Sequence, residues 1–127
     1  MPSSAVDVVR QFWNLMQTND FAAVAAVLAP DFTCEWPQSK ERIRGAANFV
    51  RMNADYPAHG RWEFTVHRIV GNEREAVSDV GITDGVQHPR AVSFFEVENG
   101  LVRRIVEYWP EPYEAPADRA HLVERMD

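Results

Sequence analysis

The sequence predicts an α+β fold, in which helices occupy the first half of the chain and an antiparallel sheet the second half. Apolar residues recur at helical spacing early in the chain and at every second position later on. Turn residues separate the later segments, and Asn99-Gly100 between two apolar runs is a strong hairpin signal. Helices followed by hairpin-linked strands are typical of the α+β class.

Two helices are expected at the start of the chain, and together they form a helical hairpin. The first covers 4–18, because its apolar residues lie at helical spacing after a capping-box-like start at Ser4. A short alanine-rich helix follows, which Asn19 or Asp20 can cap and which ends before Pro30.

A third helix is expected after a short strand and a polar connection. Residues 32–36 are a β-prone run, and the segment QSKERIRG that follows reads as a polar loop. Gly45 leads the chain into a helix over about 46–55, which ends at Tyr56-Pro57.

Four successive strands are expected in the second half, at 61–70, 74–83, 90–97 and 100–109. The chain should form one domain over 1–127, since this length and a 46% share of hydrophobic residues suit a single core. A proline-punctuated tail with a short helix from about 116 completes it and is expected to pack on the body or across a dimer.

Composition excludes several classes of function. A formal net charge of −6 with dispersed basic residues disfavours nucleic acid as a partner. No segment approaches the roughly 18 apolar residues of a membrane span, and the N-terminus lacks the basic start of a signal peptide. A single cysteine, Cys34, fits a reducing compartment, so a cytoplasmic location is expected; Cys34 itself is read as a small core residue.

Two strands are apolar on both faces. In 90–97, Phe95 shares a face with Val97 while Phe94 points the other way, and 101–109 shows the same two-sided pattern. A sheet with one face in water would alternate more cleanly. We therefore expect helices on one face and a second copy of the chain on the other, in a homodimer.

Two carboxylates interrupt this apolar pattern. Glu107 alternates with Ile105 on the last strand, and Asp79 lies in the middle of 74–83. A buried carboxylate is unfavourable unless it finds a partner or stays protonated. Both acids are catalytic candidates. The structural alternative is that Glu107 pairs with Arg103 or Arg42, and that Asp79 accepts hydrogen bonds from backbone amides.

Three segments together carry a resemblance to a known family. The hairpin FFEVENGLVRRIVEYW, the helical segment DFAAVAAVLAPDF and the connection WPQSKERIRG resemble the SnoaL-like branch of the nuclear transport factor 2-like superfamily, over about residues 4–125. The resemblance implies a cystatin-like fold, in which a cone-shaped curved antiparallel sheet is closed by three N-terminal helices around an apolar cavity. It also implies a dimer through the outer sheet face.

The superfamily includes polyketide cyclases, limonene-epoxide hydrolase, ketosteroid isomerase and non-catalytic proteins, so fold alone does not select an activity. By resemblance, Glu107 falls where the epoxide hydrolase has a water-activating aspartate, and Asp79 lies on the strand of another of its acids. That enzyme also needs an arginine between the acids, and none adjoins Asp79 in AVSDVGIT. The isomerase pattern asks for a tyrosine on the first helix, where this chain has Phe12 and Trp13, and for an aspartate on the first strand, which here carries Glu35.

Inside such a cone, aromatic residues would form a flat apolar wall for a ring-shaped or polyketide-like ligand. The alternative is that they fill the core. The candidate ligand-binding residues are Trp13, Trp36, Phe49, Met52, Tyr56, Trp62, Phe64, Phe95 and Trp109.

The functional hypothesis is an enzyme that binds a small hydrophobic molecule in an internal pocket and uses carboxylate general acid/base chemistry, as an isomerase, cyclase or hydrolase. No cofactor is expected. No metal site is expected either, because the four histidines show no ligand spacing. The alternatives are a non-catalytic ligand-binding protein and a dimeric interaction module of the same fold. Converging acids would indicate the enzyme, and acids bound by arginine the binder.

Overall fold

The computed structural model describes residues 4–126. Residues 1–3 and Asp127 lie outside this range. Two predictions fall partly on them: the N-terminal segment without a signal peptide, which begins with residues 1–3, and the single domain, which ends at Asp127. In chain order the helices and strands are α1 (Ala5–Gln17), α2 (Phe21–Val24), a 3₁₀ turn (Ala25–Val27), β1 (Leu28–Trp36), β2 (Glu41–Arg44), α3 (Ala46–Asp55), β3 (Glu63–Gly71), β4 (Glu75–Thr83), β5 (Arg90–Glu98), β6 (Leu101–Tyr108) and a second 3₁₀ helix (Ala117–Leu122).

The six strands form one sheet in the order β2-β1-β6-β5-β4-β3. Every neighbouring pair is antiparallel except β1 and β6, which are parallel. The curved sheet is not closed, since β2 and β3 are its two edges. The predicted α+β class and the cone-like sheet with its helices are confirmed.

Helix α1 covers the sheet with an apolar stripe. The Ser4 side chain accepts a hydrogen bond from the Asp7 backbone N–H at 3.2 Å, which caps the first turn as predicted. On the buried face, Val9, Phe12 and Trp13 pack against the sheet and are almost completely buried. The third helix begins and ends where the sequence predicted it, at Ala46 and Asp55.

The sequence misplaced two elements near β1. The second helix is only four residues long before its 3₁₀ turn, and β1 begins at Leu28 rather than near residue 32. Strand β1 tolerates Pro30 because its pairing with β6 is irregular between Leu28 and Thr33. The predicted polar loop contains β2, an edge strand in which only Ile43 is buried, so its alternation was too short to be recognised.

We call the side of the sheet that faces the helices the inner face and the opposite side the outer face. On β4 and β5 the inner residues are Ala76, Ser78, Val80, Ile82, Ala91, Ser93, Phe95 and Val97, all of them buried. The alternation predicted for β6 is interrupted by a bulge. Val97 pairs with Val102, but the next residue of β5, Glu96, pairs with Arg104. Arg103 is therefore left without a partner on β5. This bulge turns Val102 inward together with Ile105.

The tail beyond Tyr108 contains the short 3₁₀ helix where a helix from about 116 was expected. Its apolar side chains Leu122, Val123 and Met126 are exposed in the single chain. Within residues 4–126, every helix is too short or too polar to cross a membrane.

Candidate functional site

Glu107 is buried on the inner face of β6, with 6% of its surface exposed. The Trp36 indole N–H donates a hydrogen bond to Glu107 Oε1 at 3.0 Å, and the Ser93 hydroxyl donates to Oε2 at 2.6 Å. None of the ion pairs formed by residues 4–126 includes Glu107. Arg103 and Arg42, its expected partners, bind other carboxylates instead. The carboxyl group is therefore held by neutral donors.

Strand register creates this environment. Glu107 lies opposite Ser93 on β5, and Ser93 lies opposite Ser78 on β4, so three polar side chains cross an otherwise apolar inner face. Both serines are fully buried. Ser78 accepts a hydrogen bond from the Trp13 indole N–H at 3.0 Å. Each buried polar group in this row thus has a partner, as buried polar groups require.

Burial raises the pKa of Glu107 above its ordinary value, because the dry surroundings disfavour the charged form. The hydrogen bonds from Ser93 and Trp36 act in the opposite direction and only partly offset burial. Burial also raises the pKa of the Cys34 thiol, and the nearby Glu107 carboxyl adds to this shift. Cys34 is fully buried and stays a thiol, which agrees with its reading as a core residue.

Trp36, the donor to Glu107 Oε1, also packs against Trp109. Their rings meet edge to face with centroids 6.4 Å apart, and both side chains are only partly buried. The Trp109 backbone N–H donates to Gln38 Oε1 at 2.6 Å, and Gln38 Nε2 donates to the Trp109 carbonyl oxygen at 3.3 Å. In contrast, Ser93, which donates to Oε2, is fully buried. Trp36 is thus the more exposed of the two donors to Glu107.

Asp79 lies on the outer face and does not converge with Glu107. Arg90 Nε and Nη2 bind its two carboxylate oxygens at 2.5 and 2.9 Å, and Arg68 Nε lies 3.5 Å from Oδ2. The hydrogen bonds from Arg90 are the main reason that the pKa of Asp79 is lowered. Both arginines come from neighbouring strands, so a search of the residues next to Asp79 in the chain missed them.

Glu35, at the position of the isomerase acid in the first strand, is also bound by arginines. Arg104 and Arg42 both form ion pairs with its carboxylate. The hydrogen bond from Arg104 is the largest cause of its lowered pKa, followed by the one from Arg42. Among the three acids considered from sequence, Glu107 alone has no arginine partner.

The candidate ligand-binding residues divide into three groups. Trp13, Phe49, Trp62 and Phe95 are buried in the core; Trp36, Phe64 and Trp109 are partly buried against it; Met52 and Tyr56 are 36% and 52% exposed. The Trp13 ring contacts Phe12, Phe64 and Phe95 with centroid distances of 5.0 to 6.4 Å. The aromatic residues around Trp13 therefore fill the inner end of the cone with one another.

Two clefts lie away from Glu107. One, of about 580 Å³, lies between the β3–β4 turn and the β5–β6 hairpin and is rimmed by charged residues. The other, of about 420 Å³, lies on the outer face between Phe94, Val106 and Tyr108.

Sequence reasoning missed Asp84, which joins two loops at the start of β3 and the end of β4. Its buried carboxylate accepts hydrogen bonds from the backbone N–H groups of His59, Val86 and Gln87. These hydrogen bonds lower the pKa of Asp84 although burial acts to raise it. Asp84 lies between the predicted strands 74–83 and 90–97, where the sequence predicts only a turn. Within residues 4–126, no group of His, Cys, Asp and Glu side chains could hold a metal ion.

Comparison with known proteins relates the chain to one family. A model of the SnoaL-like domain matches residues 9–108. A protein from Kribbella flavida DSM 17836, called a putative ketosteroid isomerase, is 39% identical, with 95% of this chain and 88% of that chain covered and a TM-score of 0.87. An NTF-2 like protein of unknown function from Burkholderia xenovorans LB400 is 28% identical, with 95% and 94% covered and a TM-score of 0.78.

An LEH-like epoxide hydrolase from M. tuberculosis is 24% identical to this chain and has a TM-score of 0.67. The match covers 84% of this chain and 82% of the hydrolase chain. At this identity the likeness concerns the fold alone. No match to a curated protein was found.

Proposed function

The chain belongs to the SnoaL-like domain family, and on this premise we propose that it binds a small hydrophobic, ring-containing or polyketide-like molecule beside Glu107. Glu107 then acts as the general acid/base of a cofactor-independent reaction, in which the protein is an isomerase, cyclase or hydrolase. The observation that carries the proposal is the buried Glu107 carboxyl group, held only by the neutral donors Trp36 and Ser93.

Among these reactions, proton-transfer isomerisation needs the fewest groups. A carboxylate takes a proton from the carbon between a carbonyl group and a carbon–carbon double bond, the double bond moves into conjugation with the carbonyl, and the same group returns the proton to the far carbon of that double bond, so no cofactor is required. A carboxyl group with a raised pKa suits both steps, because it accepts and releases protons closer to neutral pH. The 39% identical Kribbella flavida protein, called a putative ketosteroid isomerase, supports this choice.

The proposed ligand reaches Glu107 along the Trp36–Trp109 pair. Flat aromatic rings bind ring-shaped apolar molecules by stacking and edge contacts. The buried aromatics, including Trp13 and Phe95, would form the floor of the site, and the exposed Met52 and Tyr56 its outer rim. Asp79 takes no part in this reaction, because Arg90 and Arg68 bind it on the other face.

A non-catalytic ligand-binding protein is the second candidate. It is favoured by Asp79, which does not converge with Glu107 and is bound by Arg90 and Arg68. In that case Glu107 would serve only as a buried hydrogen-bond partner for a bound molecule.

Hydrogen–deuterium exchange of candidate substrates separates the two functions. Hydrophobic cyclic ketones are incubated with the protein in D₂O, and deuterium uptake next to the carbonyl is followed by NMR. We expect uptake with the wild type and loss of uptake in Glu107→Gln, with ligand affinity retained. Asp79→Asn is the matched control and should keep the activity. Equal uptake with wild type and Glu107→Gln would reject the catalytic role of Glu107.

We also propose a homodimer through the outer face. Phe94 and Tyr108 stack there edge to face and are exposed in the single chain, beside the cleft of about 420 Å³. Ion pairs flank this apolar strip, with Arg104 on one side and Asp79 on the other, so that both signs of charge are available to a second copy. Sedimentation of wild type and Phe94→Glu tests this: the substitution should convert dimer to monomer, and a monomeric wild type would contradict it.

A further inference from the structure

The two oxygens of Glu107 have donors of different kinds. Ser93 binds Oε2 from a fully buried position in the middle of β5, where strand pairing on both sides holds its backbone. Trp36 binds Oε1 from the last residue of β1, and its ring is only partly buried. A side chain at a strand end that reaches the surface can move without disturbing the core, whereas one fixed in the middle of the sheet cannot.

We propose that Ser93 is a permanent anchor of Glu107 Oε2 and that Trp36 is a removable cap on Oε1, so that Oε1 is the oxygen that meets the substrate. Both are positioning residues. This inference rests on the proposed function for the identity of the reacting group, but the division of the two oxygens is a property of the free protein.

The surroundings of Trp36 support a cap that opens and closes. Its ring packs against Trp109, whose backbone is held by the two hydrogen bonds of Gln38. Gln38 belongs to the exposed turn between β1 and β2, so the backbone of Trp109 is held from a solvent-exposed segment. A ligand ring that replaces Trp109 against Trp36 would shift the indole N–H away from Oε1 and take its place.

Ser93 has a matched control in Ser78. Both serines are fully buried on the inner face, and the two residues pair directly across β4 and β5. Ser93 donates to Glu107, whereas Ser78 accepts from Trp13. Replacing either by alanine removes one hydroxyl from the same layer of the core, but only one of the two replacements removes a donor from Glu107.

The test follows Glu107 and the indole protons by NMR in the ligand-free wild-type protein and its variants. Titration of the Glu107 side-chain carbon should show a higher midpoint in Ser93→Ala, because the lost hydrogen bond favoured the charged form, and an unchanged midpoint in Ser78→Ala. The indole N–H of Trp36 should exchange with solvent at least about tenfold faster than that of Trp13. An unchanged midpoint in Ser93→Ala, or equal exchange of the two indoles, would overturn the inference.

Kinetics with a substrate from the exchange screen give the second readout. Trp36→Phe keeps an aromatic ring but removes the donor that competes with the substrate for Oε1, so KM should fall. Ser93→Ala should lower kcat by about tenfold with KM unchanged and shift the pH profile to higher pH. A Trp36→Phe variant with unchanged KM would contradict the removable cap. Retained turnover in Glu107→Gln would instead reject the proposed function, while the titration and exchange results still decide how the two oxygens are held.

Discussion

Glu107 on the inner face and Asp79 on the outer face are both carboxylates on interior strands of the same sheet, but their partners differ in kind. Glu107 is bound by an indole and a hydroxyl, and burial raises its pKa. Asp79 is bound by Arg90 and approached by Arg68, and its pKa is lowered.

This difference shows that the face of the sheet, rather than the residue type, decides what an acid can do. The outer face leaves room for long arginine side chains that stay partly in solvent, so a carboxylate there stays charged. On the inner face the helices exclude them and only short or aromatic donors fit. The inner carboxyl is therefore suited to proton transfer and the outer one to holding strands together.

The largest expected effect separates the two faces at neighbouring residues of β5. Phe95 is 1% exposed on the inner face and Phe94 is 45% exposed on the outer face. Phe95→Ala should lower the free energy of unfolding by about 3–5 kcal/mol, because it leaves a cavity in the core. Phe94→Ala should lower it by less than about 1 kcal/mol in the monomer.

Urea denaturation of the two variants at several protein concentrations checks this. If the loss of unfolding free energy in Phe94→Ala grows with protein concentration, a second copy covers the outer face. If Phe94→Ala and Phe95→Ala lose the same free energy of unfolding at the lowest protein concentration, the outer face is not exposed in the single chain as described.

The next effect concerns Glu107→Gln and depends on pH. The pKa of Glu107 is raised in the folded state, so its contribution to stability is fully present below the unfolded value, near 4.5, and is lost as pH rises through the folded value. The glutamine variant has no such loss. Its free energy of unfolding should equal that of the wild type at low pH and exceed it by on the order of 1 kcal/mol at higher pH. Thermal unfolding across pH measures the difference, and a variant less stable than wild type at all pH values would contradict it.

The smallest effect has the opposite sign. The pKa of Asp79 is lowered in the folded state, so its stabilisation is present above the unfolded value, near 3.8, and is lost as pH falls through the folded value. Asp79→Asn should lower the free energy of unfolding by less than about 1 kcal/mol at neutral pH, since the ion pair is partly exposed. The difference should vanish in acid. Thermal unfolding in high salt is the control, and a loss that salt leaves unchanged would contradict an ion-pair origin.

Much of the fold could be predicted because local signals agreed with the final packing. Asn99-Gly100 marked the β5–β6 hairpin, and the Ser4 cap and the Tyr56-Pro57 break marked the limits of α1 and α3. Strand β2 was missed, since its four residues bury a single side chain, Ile43, against β1.

The candidate site could be predicted only in part. Glu107 was recognised as an acid in an apolar alternation, and its inward direction follows from that pattern. Its partner could not be predicted, because without the bulge at Arg103 a simple hairpin register would place Glu107 opposite Val92 rather than Ser93. The arginines of Asp79 depend in the same way on how β3, β4 and β5 align, which a single sequence does not show.

The ionisation of Glu107 in the folded protein tests the central claim most directly. Infrared difference spectra between wild type and Glu107→Gln, recorded over a pH series, isolate the carbonyl band of the protonated Glu107 carboxyl group. We predict that this band persists above pH 4.5, the ordinary pKa of a glutamate. Loss of the band at or below that pH would show that Glu107 is charged there and would contradict its proposed role as a buried general acid/base.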